Sequence, residues 1–168
     1  FHFNILLIHP DSTIDSIDRE IKGLSGVTGG LIDPFQVEVF QGTRLFEKLV
    51  REGRLLGGPL LFHFWPEEPM ARRFSEIFYR LKRDAFGFLH LTAFAYEVLG
   101  AYAVTRKRGL IARRRAWLKQ QAQELIDEHN DLWIDLLKET GSLSRALADS
   151  TQIDRFIKRT QQRSALLT

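Results

Sequence analysis

The sequence predicts an α+β protein: a small mixed-sheet lobe at the start, followed by a four- to five-helix bundle. Three observations predict it. Two short apolar runs, Phe3–Ile8 and Phe35–Phe40, flank a segment whose apolar residues recur at helical spacing. Beyond about Pro66 the apolar residues keep the three-to-four-residue period of helices. Between these regimes Pro66 and Pro69 bracket two glutamates and mark a boundary, with a lobe over 1–65 and helices over 66–168.

Phe3–Ile8 reads as a buried strand that stops at Pro10, which has no N–H to pair. Asp11 or Ser12 is the expected cap of a helix over Thr13–Leu24, with Ile14, Ile17, Ile21 and Leu24 in one stripe. Glycines from Gly23 to Gly30 loosen the chain into a loop. Asp33-Pro34 then leads into the second strand, Phe35–Phe40, with Gln36 and Glu38 facing away from the apolar set. Thr43 opens a helix of about ten residues with Leu45, Phe46, Leu49 and Val50 inward, and Gly53 stops it. Pro59–Trp65 fits a third short strand or a loop packed on the core.

Helix Met70–Phe86 turns Phe74, Ile77, Phe78 and Leu81 inward. Helix Phe88–Thr105 is apolar almost all round, which predicts a central place in the bundle. Leu110–Lys138 carries Leu118, Ala122, Leu125, His129, Leu132, Trp133 and Leu136 along one side. Thr140-Gly141-Ser142 is expected to break it, with Ser142 capping Leu143–Ala148. A last helix starts near Thr151 with Ile153, Phe156 and Ile157 inward.

Composition bounds the function. Apolar residues make up 44% of the 168, enough for a real core. The absence of cysteine excludes a disulfide framework, a cysteine nucleophile and a thiolate zinc site. It fits a reducing, cytoplasmic setting. The longest apolar run, Phe86–Val104, includes His90 and Glu97, so a membrane span is not expected. Met70 is the only methionine, so an upstream segment is expected before Phe1. Net charge is +3, but the cations cluster. Arg106, Lys107, Arg108, Arg113, Arg114 and Arg115 gather around one interhelical turn. Arg106–Arg108 suit a helix end, whereas Arg113–Arg115 stand near a helix start, where the dipole disfavours cations. That pattern points to a phosphate partner: nucleic acid, a nucleoside triphosphate, or otherwise an acidic protein.

The order strand, helix, strand, helix, followed by Glu-Gly-Arg-Leu-Leu-Gly at Glu52–Gly57, resembles the small nucleotidyltransferases of the polymerase β superfamily over about His2–Gly58. Helical bundles after the catalytic lobe occur in that superfamily. The resemblance implies transfer of a nucleoside monophosphate from a triphosphate with Mg²⁺, in a toxin–antitoxin or defence setting. It places the family's two strand aspartates at His2 and Asn4, and its third acid, a metal ligand, at Glu38. Two Mg²⁺ ions need hard anionic oxygens. His2 and Asn4 are neutral, so the resemblance implies a degenerate or incomplete site in which Glu38 is the surviving ligand. The plainer reading makes Glu38 a solvated strand residue in an unrelated α+β domain.

Arg83 and His90 resemble the Arg-x(4–6)-His signature of HEPN ribonucleases, although Gly87 interrupts the helix that would hold both. For His90 the alternative is a hydrogen-bonded core histidine. His129 beside Asp127, Glu128 and Asp131 reads as a packed histidine next to a solvated acidic face. The resulting expectation is a nucleotidyltransferase-like protein that handles nucleotides or nucleic acid. The alternatives are a non-catalytic module that contacts nucleic acid through its basic turn, and a structural protein whose bundle docks another chain or a second copy.

Overall fold

The computed structural model describes residues 2–59, 61–84 and 112–165. The fold is α+β, a small sheet region followed by helices. In chain order the elements are β1 (His2–Ile8), α1 (Ile14–Leu24), β2 (Leu31–Gln36), α2 (Arg44–Arg51), β3 (Leu56–Gly58), β4 (Leu61–His63), α3 (Pro69–Asp84), α4 (Ala112–Arg145) and α5 (Ser150–Ala165). The expected helix Phe88–Thr105 lies outside the described residues, as do His90, Arg106, Lys107 and Arg108. Among the described residues, no helix is long and apolar enough to cross a membrane.

β1 and β2 pair in parallel, with Asn4 opposite Asp33 and Ile8 opposite Gln36. The second strand therefore begins four residues earlier than its apolar run suggests. Pro34, read as leading into the strand, sits inside it. The N–H groups of Asp33, Phe35 and Val37 fall on the side facing β1, as the bond from Val37 N–H to the Ile8 carbonyl shows. Those of Ile32, Pro34 and Gln36 fall on the outer edge, where a missing donor breaks no ladder bond. The run Phe35–Phe40 is shared between two sheets. Val39 bridges Phe62 of the antiparallel pair β3–β4, in which Leu56 lies opposite His63. Gln36 is buried, and its Nε2 donates to the Phe64 carbonyl at 2.9 Å, joining the two sheets.

The cap of α1 is Thr13, whose hydroxyl accepts from Ser16 N–H while Ser16 reciprocates. Ser12 is used elsewhere: its Oγ accepts from the His9 N–H and closes the turn after β1. Glu68 caps two helices at once, accepting from Ile14 N–H at 2.7 Å and Ala71 N–H at 3.1 Å. In α2 Leu49 faces inward as expected, but Val50 is 51% exposed.

The expected break at Thr140–Ser142 is absent, and α4 runs unbroken to Arg145. The hydroxyls of Thr140, Ser142 and Ser144 each donate to the carbonyl four residues back, so none competes with the helix as a cap. Gly141 lies where α4 comes close to α1; a Cβ there would sit 3.2 Å from Asp18 Oδ1. The helix ends in a Schellman-type turn, with Ala148 N–H bonded to the Leu143 carbonyl and Leu147 at φ 50°. Leu118, expected inward, is 40% exposed.

One core runs through β1, α1, β2, α3, α4 and α5, around Trp133, Phe74, Phe78, Ile17 and Ile32. A smaller cluster of Val39, Leu49 and Phe64 packs α2 onto the β3–β4 hairpin. The two clusters meet at β2, and the cleft described next opens between them.

Candidate functional site

The C-terminal half of β2, the segment after β4 and the last turns of α3 enclose a cleft of about 740 Å³. Phe78, Tyr79, Lys82 and Arg83 reach it from α3, because Phe78 and Lys82 share one helical face and Tyr79 and Arg83 flank it. Phe62, His63 and Trp65 come from the hairpin side, and Phe35, Gln36 and Glu38 from the end of β2. Trp65 and Tyr79 form a corner, with centroids 6.0 Å apart and planes at 88°. A flat ring entering that corner would stack on one and meet the edge of the other.

The charges at the cleft are mostly matched. Lys82 Nζ donates to Asp33 Oδ1 at 3.0 Å and to the Pro34 carbonyl at 2.8 Å, and it lies 3.6 Å from the centre of the Phe35 ring. Both partners of this pair are mostly buried, at 16% and 19% side-chain exposure. Arg83 is exposed and holds Asp84. Glu38 makes no hydrogen bond or ion pair among the described residues. Its charge is felt at Tyr79, whose phenol is pushed up first by burial and then by Glu38.

The predicted site residues fall into separate places. His2 and Asn4 stand at the start of β1, where the residue brought to them is Asp33: it lies opposite Asn4, and its Oδ2 is 3.7 Å from His2 Nε2. Glu38 lies beyond the other end of the strand pair, past Gln36 and Ile8. Four residues of strand separate Asn4 from Ile8, roughly 13 Å. So Glu38 does not join His2 and Asn4. Arg113, Arg114 and Arg115 fall in the first turn of α4, which has no acidic residue.

Among the described residues, His2, Asn4 and Glu38 form no common donor set for Mg²⁺. Among the described residues, no three His, Cys, Asp or Glu side chains converge. Asp33, the carboxylate nearest Asn4, already holds the Lys82 ammonium, so a dication there would face a cation it must displace. Glu38 is one carboxylate alone.

Sequence reading missed Asp33, Trp65 and Tyr79 as site residues. Asp33-Pro34 looked like a strand lead-in, and nothing local points from Asp33 to Lys82, 49 residues on. The usable signal was the alternation of Ile32, Pro34 and Gln36 against Asp33 and Phe35. His129, on the buried face of α4, is packed as expected. It is 1% exposed, burial holds its pKa down to about 4, and its Nε2 lies 3.3 Å from the Ile32 carbonyl. A carbonyl can only accept, so Nε2 carries the proton of the neutral ring. Compared with known proteins, the chain matches no family model, no curated protein and no solved structure.

Proposed function

We propose that this chain binds nucleotides, with the base in the aromatic cleft between β2, the hairpin and α3. The observation that carries the reading is the Trp65–Tyr79 corner with the exposed Glu38 carboxylate, which has no ion pair among the described residues, on the same cleft. The corner offers a π-face and an edge to a flat heterocycle, and stacking on an aromatic side chain is worth about 1–3 kcal/mol per base. Arg83, exposed on the same cleft, is a cation available to a phosphate leaving it. The reading is one of binding. Transfer of a nucleotidyl group is no part of it. Calorimetric titration of the chain with nucleoside monophosphates tests it. Tyr79→Ala is expected to weaken binding about tenfold, in line with the loss of one stacking contact. Equal affinity in the variant would remove the cleft as the site.

A second reading concerns nucleic acid. Arg113, Arg114 and Arg115 stand in the first turn of α4, where the helix dipole disfavours cations and which holds no acidic residue. A phosphate backbone as partner accounts for that placement. The Arg113→Ala, Arg114→Ala, Arg115→Ala triple variant is expected to flatten the slope of log affinity against log salt by about 3 on duplex DNA. An unchanged slope would set this surface aside.

A further inference from the structure

The polar groups of the cleft differ in what they have left to offer. The Lys82 ammonium is spent on Asp33, the Pro34 carbonyl and the Phe35 ring face. Two of the Arg83 nitrogens, Nε and Nη2, are held by Asp84. Gln36 uses its Nε2 on the Phe64 carbonyl, and its Oε1 is buried without a partner among the described residues. Gln36 lines the cleft but is only 7% exposed, and its Oε1 is covered, so that oxygen is not an acceptor the cleft presents. Glu38, two residues on, is an acceptor carboxylate with no ion pair among the described residues. The side chains of Tyr79 and His63 can donate or accept and impose no choice. The unspent capacity that discriminates is therefore acceptor capacity, and it is anionic.

Resting on the nucleotide reading, we infer that the cleft selects guanine, with Glu38 receiving its Watson–Crick edge. Guanine presents two adjacent donors there, N1–H and the 2-amino group, which a carboxylate accepts side by side as it accepts a guanidinium fork. Adenine offers one amino donor next to a ring nitrogen whose lone pair meets the carboxylate. Hypoxanthine keeps N1–H and lacks the amino group. Uracil sets one N–H between two carbonyls, both repelled by the carboxylate. Each lost or opposed contact forfeits a charge-assisted hydrogen bond to the exposed Glu38 carboxylate.

The experiment is calorimetric titration of the full chain with GMP, IMP and AMP, repeated with Glu38→Gln. GMP is expected to bind at least tenfold more tightly than IMP or AMP. In Glu38→Gln the three affinities should converge within about threefold, since the amide replaces one acceptor by a donor facing the base. The GMP/IMP comparison deletes the contact from the ligand side and needs no variant, so it stands even if Glu38→Gln folds poorly. Equal affinities for the three nucleotides in the parent chain would overturn guanine selection and leave nucleotide binding intact. A GMP preference that survives Glu38→Gln, in a variant with the parent's thermal midpoint, would overturn the role of Glu38. Binding of none of the three would overturn both readings together.

Discussion

Asn130 closes the outer edge of the strand that carries Ile32. Its Oδ1 accepts from Ile32 N–H at 2.9 Å, and its Nδ2 donates to the Gly30 carbonyl at 2.8 Å. One side chain on α4 thus serves as the missing neighbour of a two-stranded parallel sheet, whose other edge of β2 is taken by β1. Buried backbone groups need partners, and an edge left open is a liability. Asn130→Ala would strand a donor and an acceptor together. The expected loss is about 2–4 kcal/mol of unfolding free energy by urea titration. A loss below about 0.5 kcal/mol would show that water serves this edge equally well.

His129, next in the chain, makes stability depend on pH. Burial chiefly lowers its pKa, from 6.5 to about 4; the Ile32 carbonyl opposes this, and His2 adds to it. Above pH 6.5 the ring is neutral folded and unfolded, and its contribution is fully present. As pH falls through 6.5, the unfolded chain takes up a proton that the folded chain refuses until about pH 4. The stability lost across that window approaches about 3 kcal/mol. Urea midpoints between pH 7 and 4 should fall less steeply in His129→Gln than in the parent. Parallel slopes would move the pH dependence to other groups.

The Asp33–Lys82 pair is mostly buried and bridges β2 to α3. Asp33→Ala leaves an ammonium on the Pro34 carbonyl and the Phe35 ring with no anion. It should cost about 2–3 kcal/mol, less than a fully buried pair because water still reaches the site. Adding Lys82→Met should recover most of that loss, since the methionine fills the stem's volume without a charge. A double-mutant cycle measures it. A coupling near zero would mean that the two side chains contribute independently.

Leu147 holds a left-handed backbone at φ 50° to end α4, with its side chain 72% exposed. The turn needs that conformation, and leucine meets it at a steric cost that glycine avoids. Leu147→Gly should therefore stabilise by about 1 kcal/mol or raise the thermal midpoint by a few degrees. A lower midpoint would reveal a contact of the leucine side chain that outweighs the backbone gain.

Local chemistry wrote much of this fold into the chain. The stripe Ile14, Ile17, Ile21 and Leu24 is buried as its spacing requires, and the helix around Phe74, Ile77, Phe78 and Leu81 packs on the same core. Thr43 and Gly53 bound α2, with Thr43 accepting from Phe46 N–H and Gly53 at φ 65°. Such signals act within one or two turns, so a sequence displays them directly. The candidate site is different in kind. Glu38 was legible as an acid near a strand, but its neighbours were not, because Trp65 and Tyr79 reach the cleft from other elements.

What the sequence by itself determined is the order and type of most elements, and which residues of each helix face inward, since these follow from periodicity and caps. What only the tertiary structure decided is where β2 starts, that Asp33 and not Glu38 faces Asn4, and that an aromatic cleft forms between two cores. Leu31–Gln36 pairs with β1, and its other edge is capped by an asparagine 98 residues downstream of Ile32. A parallel pair needs its register set by contacts of that range, and no local propensity carries them.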